Sequence, residues 1–423
     1  MLTYLTKRTC YGTILMSFLK KGDAVMHTTS LSETPSALRL TIGFFGKTNS
    51  GKSSLINAIA GQEVSLVSPV SGTTTDPVSK PIEIYPLGPC ILLDTAGFGD
   101  NTELGRLRMS RTLAAMDKTD VAVLVLTDTA DYAEEKRLLK ELSKRKTPVV
   151  AVLNQIDLLD HPTEAIQAAE AALGILPIPV SATEKTGLST LREHLVKAAP
   201  ATLENESLIG HLVKENDRVL LVMPQDIQAP KGRLILPQVQ VLRDLLDHNA
   251  VVTCVTADKL TEALSDKTPD LIITDSQVFS KVYAEKPAES KLTSFSVLLA
   301  RYKGDIEAYL AGAKKIWNLK AGDRVLIAEA CSHNPQDGDI GRVKIPNLLH
   351  KKIHPDIQVE VVSGQDFPQD LTPYSLVIHC GGCMFNRRQV LSRVMRAVDQ
   401  GVPITNYGIF LAEMADILDK ITI

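Results

Sequence analysis

The sequence has few aromatic residues, few cysteines and almost no net charge, and each shortage excludes a class of protein. Phe, Trp and Tyr make up 4% of the chain, and residues 301–423 lack the basic, aromatic-interleaved pattern of an RNA-binding surface. Six cysteines in 423 residues are too few for a disulfide scaffold, which indicates a reducing compartment, and we expect the cytoplasm. The net charge of −3 gives no general reason to expect nucleic acid or an anionic membrane as a partner. No apolar run approaches the length of a membrane span.

The length predicts several domains, because a single hydrophobic core stops growing well below 423 residues. Composition and motif order divide the chain into an extension at 1–36, a nucleotide-binding domain at 37–200, and smaller α/β domains at 205–300 and 301–423. The extension resembles a signal peptide only superficially, because it lacks a small-residue cleavage site. We expect it to be a disordered arm or the product of a misplaced start codon.

The stretch Gly46–Ser53 fits the phosphate-loop pattern of two glycines followed by Lys and Ser. It lies between an apolar run, Leu38–Phe45, and a segment of helical spacing, Ser54–Ala60. In this strand–loop–helix arrangement, backbone N–H groups face phosphate oxygens at a helix N-terminus. Lys52 then reaches the β- and γ-phosphates, and Ser53 ligates magnesium.

Two further segments have the composition of nucleotide-sensing loops. Pro69–Asp76 is polar and contains glycine, and Thr74 in it is a candidate magnesium ligand that senses the γ-phosphate. The predicted buried strand Pro89–Leu93 continues into Asp94, which is placed to orient magnesium. Gly97 allows a backbone N–H group to approach the γ-phosphate.

Continuous apolar runs indicate parallel strands that are covered on both faces. Val121–Leu126 and Pro148–Leu153 are such runs, and a helical stretch, Ala133–Arg145, separates them. The sequence therefore predicts an α/β fold, in which a P-loop domain with a doubly wound, mostly parallel sheet precedes the two smaller α/β domains.

Two strand ends carry residues suited to recognising guanine. Asn154 and Asp157 follow the strand that ends at Leu153, and Ser181 and Ala182 follow a later predicted strand. A carboxylate that accepts two N–H bonds from guanine discriminates against adenine, whose edge has the opposite pattern of donors and acceptors. Four motifs in this order predict a GTPase.

The motifs resemble those of the TrmE and Era type of GTPase. Asn49 lies where potassium-dependent members have an asparagine, and Phe98 lies where Ras-like enzymes have a water-orienting glutamine, so the resemblance implies slow, potassium-stimulated hydrolysis. Gln155 departs from the usual lysine of the guanine motif. Lys52, Thr74 and Gly97 are the candidate catalytic residues. The positions expected to contact GTP or GDP, with Mg²⁺ and K⁺, are Gly46, Asn49, Ser50, Gly51, Lys52, Ser53, Ser54, Thr74, Asp94, Gly97, Asn154, Asp157, Ser181 and Ala182.

The middle segment predicts a second βαβαβ unit. Its strands are predicted at Arg218–Met223, Val251–Thr256 and Leu271–Thr274. We expect Cys254 to be a core residue. No catalytic set stands out here, and a small sheet with an apolar helix is a plausible oligomerisation element.

The last segment brings three cysteines to predicted strand ends. Cys331 follows the strand Arg324–Ala330, and Cys380 and Cys383 follow another strand, Tyr374–Ile378. Residues just beyond the carboxyl ends of parallel strands converge in one crevice, so these thiols can meet. Cys383 also lies just before a predicted helix, where the dipole favours the thiolate.

Three kinds of site fit these cysteines and the adjacent histidines, His333 and His379. The first kind is a closed zinc site with three sulfur ligands and one nitrogen ligand. A 4Fe-4S cluster with three thiolates is the second, with its fourth iron bound by histidine or by an exchangeable ligand. A redox-active disulfide between Cys380 and Cys383 is the third, and it has no need of Cys331.

The order of these parts resembles the maturation GTPase of iron-only hydrogenase, the HydF family, over residues 37–423. Its terminal Cys-x-His…His-Cys-Gly-Gly-Cys signature is specific. The resemblance implies that Cys331, Cys380 and Cys383 hold a 4Fe-4S cluster. His333 and His379 are then candidates for the fourth position or for orienting partners of the ligands.

The resemblance also implies a function and partners. The family is a scaffold and carrier that accepts a transient diiron precursor made with two radical-SAM maturases and delivers it to apo iron-only hydrogenase. Its members are homodimers through the middle domain, and GTP acts as a switch; no nucleic acid or membrane partner is expected. The alternative is a regulatory or assembly GTPase with a zinc-stabilised terminal domain.

Overall fold

The computed structural model describes residues 39–61, 78–97, 103–129, 131–200, 207–224, 234–330, 339–364 and 366–423, without the side chains of 103–108. The predicted extension at 1–36 lies outside these ranges, as do Thr74, Phe98, Cys331 and His333. Within the described ranges, no helix is long and apolar enough to cross a membrane.

The first sheet has six strands in the order β2-β3-β1-β4-β5-β6. They are β1 (Leu40–Phe45), β2 (Val78–Ile84), β3 (Gly88–Asp94), β4 (Val121–Leu126), β5 (Val149–Leu153) and β6 (Ile178–Pro179). Every neighbouring pair is parallel except β2 with β3. The helices of this domain are α1 (Lys52–Ala60), α2 (Glu103–Met116), α3 (Ala133–Lys144), α4 (Pro162–Leu173) and α5 (Leu188–Ala198).

The apolar runs of this sheet form its central strands, as expected. β1 and β4 are buried at every position, because helices cover both faces of the sheet. This confirms the predicted α/β fold with a mostly parallel sheet. The antiparallel edge strand β2 was not predicted; its exposed and half-buried residues lack the apolar signal of the central strands.

The second sheet has four parallel strands in the order β10-β9-β7-β8. They are β7 (Arg218–Val222), β8 (Val251–Val255), β9 (Leu271–Thr274) and β10 (Lys291–Ser294). Its helices are α6 (Leu236–Asp247), α7 (Leu260–Asp266), α8 (Phe279–Glu285) and α9 (Phe295–Lys303). The expectation that Cys254 lies in the core is wrong: its thiol is exposed, because β8 is an edge strand with little covering it.

The third sheet also has four parallel strands, in the order β12-β11-β13-β14. They are β11 (Arg324–Ala328), β12 (Gln358–Val362), β13 (Leu376–His379) and β14 (Ile404–Asn406). Its helices are α10 (Ile306–Ala313), α11 (Ile345–Lys352), α12 (Arg387–Asp399) and α13 (Tyr407–Met414). The remaining short turns are 3-10 or π-helical and lie at Ile156–Leu158, Ala257–Lys259, Ser276–Val278, Ile316–Asn318, Ile340–Lys344 and Leu418–Lys420.

The second and third sheets share one apolar core. Leu220 and Ile272 of the second sheet belong to the same buried cluster as Val325 and Ile404 of the third. Helix α9 crosses residue 300, where the sequence suggested a domain boundary. The two four-stranded units are therefore packed as one body rather than joined by an exposed linker.

Helix α12 connects the third sheet to the first domain. Its N-cap, Asn386, donates from Nδ2 to Thr41 Oγ1 at 3.2 Å and to the Lys118 carbonyl at 2.8 Å. One turn from its other end, Arg396 Nη2 donates to Asp117 Oδ2 at 3.0 Å. Both ends of the helix that follows Cys383 are thus fixed to the nucleotide-binding domain.

Asp120 at this interface predicts a pH dependence of stability. Burial raises its pKa to about 6, although the Thr41 N–H group, Arg388 and Arg387 act in the opposite direction. Between pH 4 and 6 the native state therefore binds more protons than the unfolded chain, so this residue lowers the free energy of unfolding as pH rises through that window.

The substitution Asp120→Asn tests this dependence. We expect the melting temperature of the variant, minus that of the parent, to increase as pH rises from 4 to 6 and to stay constant from pH 6 to 8. Thermal unfolding of both proteins across this range checks it. A difference that is constant over the whole range contradicts the assignment.

Candidate functional site

The phosphate loop follows β1 and leads into α1, as the motif predicts. Gly51 precedes the helix with φ +79°, a left-handed conformation that favours glycine. A Cβ at Gly51 would lie 2.3 Å from Asn154 Nδ2, so this position has no room for a side chain. Asn154 Nδ2 donates to the Ser50 carbonyl at 2.9 Å. The loop is therefore fixed against the end of β5.

Lys52 lies under the phosphate loop and is 6% exposed. Its Nζ donates to the carbonyls of Gly46 at 2.9 Å and Lys47 at 2.8 Å. Burial lowers the pKa of Lys52 to about 8, and the nearby Asp94 acts in the opposite direction. The ammonium is thus held by carbonyl groups at the position where the motif binds phosphates.

Ser53 and Asp94 come together at the ends of α1 and β3. Ser53 Oγ donates to Asp94 Oδ2 at 2.6 Å. A phosphate-loop hydroxyl and an aspartate at a neighbouring strand end are the pair that holds and orients Mg²⁺ in P-loop enzymes. Asp94 is half-buried and Ser53 is exposed, so an incoming cation can reach them.

Gly97 lies against the phosphate loop. A Cβ at this position would lie 2.5 Å from the Thr48 Cα atom, so only glycine allows the two loops to approach this closely. Of the three candidate catalytic residues, Lys52 and Gly97 are thus beside the loop, whereas Thr74 lies outside the described residues.

The predicted guanine-recognition residues follow β5 and β6. Gln155 has φ +64° and donates from Nε2 to the Asn49 carbonyl at 3.4 Å, so this departure from the usual lysine still contacts the phosphate loop. Asp157 is exposed on the 3-10 turn that follows. Ser181 is buried, and its Oγ accepts the Glu184 N–H group at 3.0 Å.

The remaining residues that are predicted to contact the nucleotide differ in exposure. Ser50 is buried, Asn49 and Ser54 are exposed, and Ala182 is half-buried. Asn49 has φ +65°, a left-handed conformation within the phosphate loop. The structure thus arranges all the described motif residues around the carboxyl edge of the first sheet, where nucleotides bind in open α/β sheets.

The second candidate site is the cysteine loop, residues 380–385, at the carboxyl end of β13. The Cys380 Sγ atom accepts the Ala330 N–H group at 3.0 Å, and the Cys380 N–H group donates to the Ala328 carbonyl at 2.9 Å. Ala330 is the residue that precedes Cys331 in the sequence. Cys380 and Cys383 are both half-buried. The segments that follow β11 and β13 therefore meet at Ala330 and Cys380, whereas the predicted meeting of the thiols involves Cys331, which lies outside the described residues.

His379 is fully buried, and both of its ring nitrogens have protein partners. Nδ1 is 2.6 Å from the Cys380 carbonyl, and Nε2 is 3.3 Å from Arg393 Nη1. Because a guanidinium only donates and a carbonyl only accepts, the neutral ring carries its proton on Nδ1. Burial and Arg393 lower the pKa of His379 to about 3. Iron could bind either nitrogen only if one of these bonds were broken.

Arg393 of α12 is a buried cation beneath the cysteine loop. Its guanidinium carbon lies 4.5 Å from the ring centre of Phe385 and 4.8 Å from that of Phe367. Burial lowers its pKa to about 10, and the nearby Cys380 acts in the opposite direction. The sequence did not predict a role for Arg393, because only the apolar positions of its helix form a recognisable pattern.

The cysteine loop suits thiolate ligands of a metal cluster. Positive groups and N–H donors near a sulfur favour its thiolate form, and the loop has both in Arg393 and the Ala330 N–H group. A Cβ at Gly381 would meet no heavy atom within 4 Å outside its chain neighbours, so the loop faces open space at this position. Over the described ranges, which omit Cys331 and His333, no group of three metal-binding side chains occurs.

Comparison with known families adds the decisive observation. Residues 208–304 match the family model for the hydrogen maturase F dimerization domain, and residues 307–422 match that for the hydrogen maturase F tetramerization domain. The chain belongs to the hydrogen maturase F family. Residues 41–155 match the model for a 50S ribosome-binding GTPase, so the first domain of this maturase is a GTPase domain. This domain binds GTP or GDP with Mg²⁺.

Curated relatives resemble the GTPase part of the chain. The tRNA modification GTPase MnmE of Paraburkholderia xenovorans is 33% identical over 183 residues, which are 43% of this chain and 39% of that protein. MnmE of Bordetella petrii is 39% identical over 157 residues, which are 36% of this chain and 32% of that protein. This chain thus spans well under half the length of these relatives. A crystal structure of Aquifex aeolicus Era with GDP and AlF4− covers 51% of this chain and 92% of Era, at 19% identity and a TM-score of 0.34.

The position of Lys52 predicts a large loss of nucleotide affinity when its charge is removed. We expect Lys52→Ala to bind GDP about 100-fold more weakly, because a charge-assisted hydrogen bond contributes roughly 1.5 to 3 kcal/mol. Titration of a fluorescent GDP analogue measures the affinity. Lys140→Ala, which removes an exposed lysine of α3, serves as the matched control and should bind as the parent does. Equal affinity of Lys52→Ala and the control would falsify the assignment.

Proposed function

We propose that this protein is a GTP-hydrolysing scaffold that binds a 4Fe-4S cluster, receives the diiron precursor of the hydrogenase active site and delivers it to apo iron-only hydrogenase. One observation carries the proposal. In a chain of the hydrogen maturase F family, the Cys380 thiol contacts the backbone of Ala330, the residue before Cys331. Two strand ends that carry cysteines therefore meet at one edge of the third sheet.

The proposed cluster ligands are Cys331, Cys380 and Cys383. When bound, a 4Fe-4S cluster with three thiolate ligands supplies an iron whose fourth position can hold a further ligand. The bonds from His379 to the Cys380 carbonyl and from Arg393 to His379 favour His379 as a positioning residue. The fourth position is then left to His333 or to an exchangeable ligand.

The GTPase domain is the proposed switch. Lys52 binds the β- and γ-phosphates, Asp157 accepts from guanine, and Ser181 with Ala182 borders the base. Thr74 and Gly97 respond to the γ-phosphate and are released upon hydrolysis. The bonds of Asn386 and Arg396 to the first domain offer a route by which such a change reaches the cysteine loop.

Hydrolysis is proposed to be slow and stimulated by potassium. Phe98 follows Gly97 in the sequence at the position of a water-orienting glutamine, so the chain needs another way to place charge and water. Asn49, an exposed residue of the phosphate loop, is the proposed K⁺ ligand.

Self-association is supported by the descriptions of the two maturase models, which name dimerization and tetramerization. The exposed edge strand β8, on which Val251 is 49% exposed, is the proposed contact surface of a homodimer through the middle domain. The proposed partners are two radical-SAM maturases, which supply the precursor, and the apo hydrogenase, which receives it. We place these steps in the cytoplasm, where thiols stay reduced.

The cysteine loop gives a direct test of cargo delivery. The protein is produced together with the two radical-SAM maturases, purified without oxygen and mixed with apo iron-only hydrogenase. We expect Cys380→Ser to give about tenfold less hydrogen evolution than the parent, because the cargo site loses a thiolate ligand. Cys90→Ser, which replaces a thiol on β3 of the GTPase domain but keeps a donor to the Gly88 carbonyl, is the matched control and should remain fully active. Full activation by Cys380→Ser contradicts the proposed site.

A further inference from the structure

Lys303 is a buried lysine whose ammonium group lies inside the cysteine loop. It is the last residue of α9 and is 1% exposed. Its Nζ donates to three carbonyls of the loop: Gly382 at 3.1 Å, Cys383 at 3.3 Å and Phe385 at 2.8 Å. No local sequence pattern predicts this role, because the loop lies 79 to 82 residues further along the chain.

Among the residues that the structure describes, the ammonium of Lys303 has no carboxylate to balance its charge. Within the described residues, no Asp or Glu forms an ion pair with Lys303, and the nearby acidic groups are the thiols of Cys383 and Cys380. Burying a charge without a counter-charge is costly, and hydrogen bonds to carbonyls offset only part of that cost. Such a buried cation is best explained by negative charge that the loop carries when it is loaded.

The three hydrogen bonds also orient the loop. In a trans peptide the C=O and N–H groups point in opposite directions, so a carbonyl aimed at Lys303 turns the next N–H group away from it. The N–H groups of Cys383 and Met384 therefore point to the opposite side of the loop. N–H donors near cluster sulfurs and thiolates raise the reduction potential of an iron–sulfur cluster.

We propose that Lys303 is a positioning residue of the cluster site: it gathers the carbonyls of the cysteine loop, turns the N–H groups of Cys383 and Met384 outward and offsets the negative charge of the bound cluster. The inference rests on the cluster-binding function proposed above. It adds that the region matching the dimerization model, residues 208–304, completes the site, since this region contains Lys303.

Lys303→Met tests the proposal, because methionine keeps the length and apolar stem of the side chain but removes its charge and donors. The parent and the variant are reconstituted anaerobically with iron and sulfide, and their midpoint potentials are measured by redox titration monitored by electron paramagnetic resonance. We expect the equilibrium constant for reduction of the cluster to be about tenfold smaller in the variant. For a one-electron couple, this corresponds to a midpoint potential that is about 59 mV more negative. Loss of the cluster from a variant with a native circular dichroism spectrum also supports the positioning role.

Two controls separate this role from a general effect on folding. Lys320→Met removes an exposed lysine and should leave the potential unchanged. Lys303→Arg keeps the charge and should stay closer to the parent than Lys303→Met does, and GTP hydrolysis should be the same in every variant. A Lys303→Met protein with full iron content and the parent's potential overturns the inference, as does a Lys303→Arg protein that shifts as far as Lys303→Met. Absence of a cluster in the parent itself would instead overturn the proposed function.

Discussion

Parallel pairing gives each sheet a single edge at which its strands end, and both candidate sites depend on this constraint. In the described residues of the first sheet, β1, β3 and β5 bring the phosphate loop, Asp94 and Asn154 to one edge. In the third sheet, β11 and β13 bring Ala330 and Cys380 into contact. The same backbone arrangement thus places phosphate chemistry at one end of the chain and thiol chemistry at the other.

The parts between the two sites are joined more closely than a series of separate domains. One apolar core runs beneath the second and third sheets, and α9 extends from it to place Lys303 inside the cysteine loop. On the other side of the loop, α12 begins at Asn386, which contacts Thr41 beside β1. The cysteine loop is therefore held from two directions, by the middle segment and by the GTPase domain.

Local patterns predicted the fold and the order of the motifs, because strand ends, glycine loops and cysteine spacing are patterns of residues that lie close together in the sequence. The partners of these residues were not predictable in that way. Lys303 and Arg393 act on residues far away in the sequence, and a single buried cation leaves no periodic trace. Cys254 was misjudged for a related reason: an apolar run identifies a strand but does not reveal whether that strand lies at the centre or the edge of a sheet.

The central claim is that the cysteine loop is part of a 4Fe-4S site in a GTPase scaffold. Electron paramagnetic resonance of the protein, reconstituted anaerobically with iron and sulfide and then reduced, tests this most directly. The account predicts a 4Fe-4S signal in the parent that is lost or greatly weakened in Cys331→Ser. No signal in the parent, together with about one tightly bound zinc ion per chain, would contradict it and indicate a zinc-stabilised assembly GTPase.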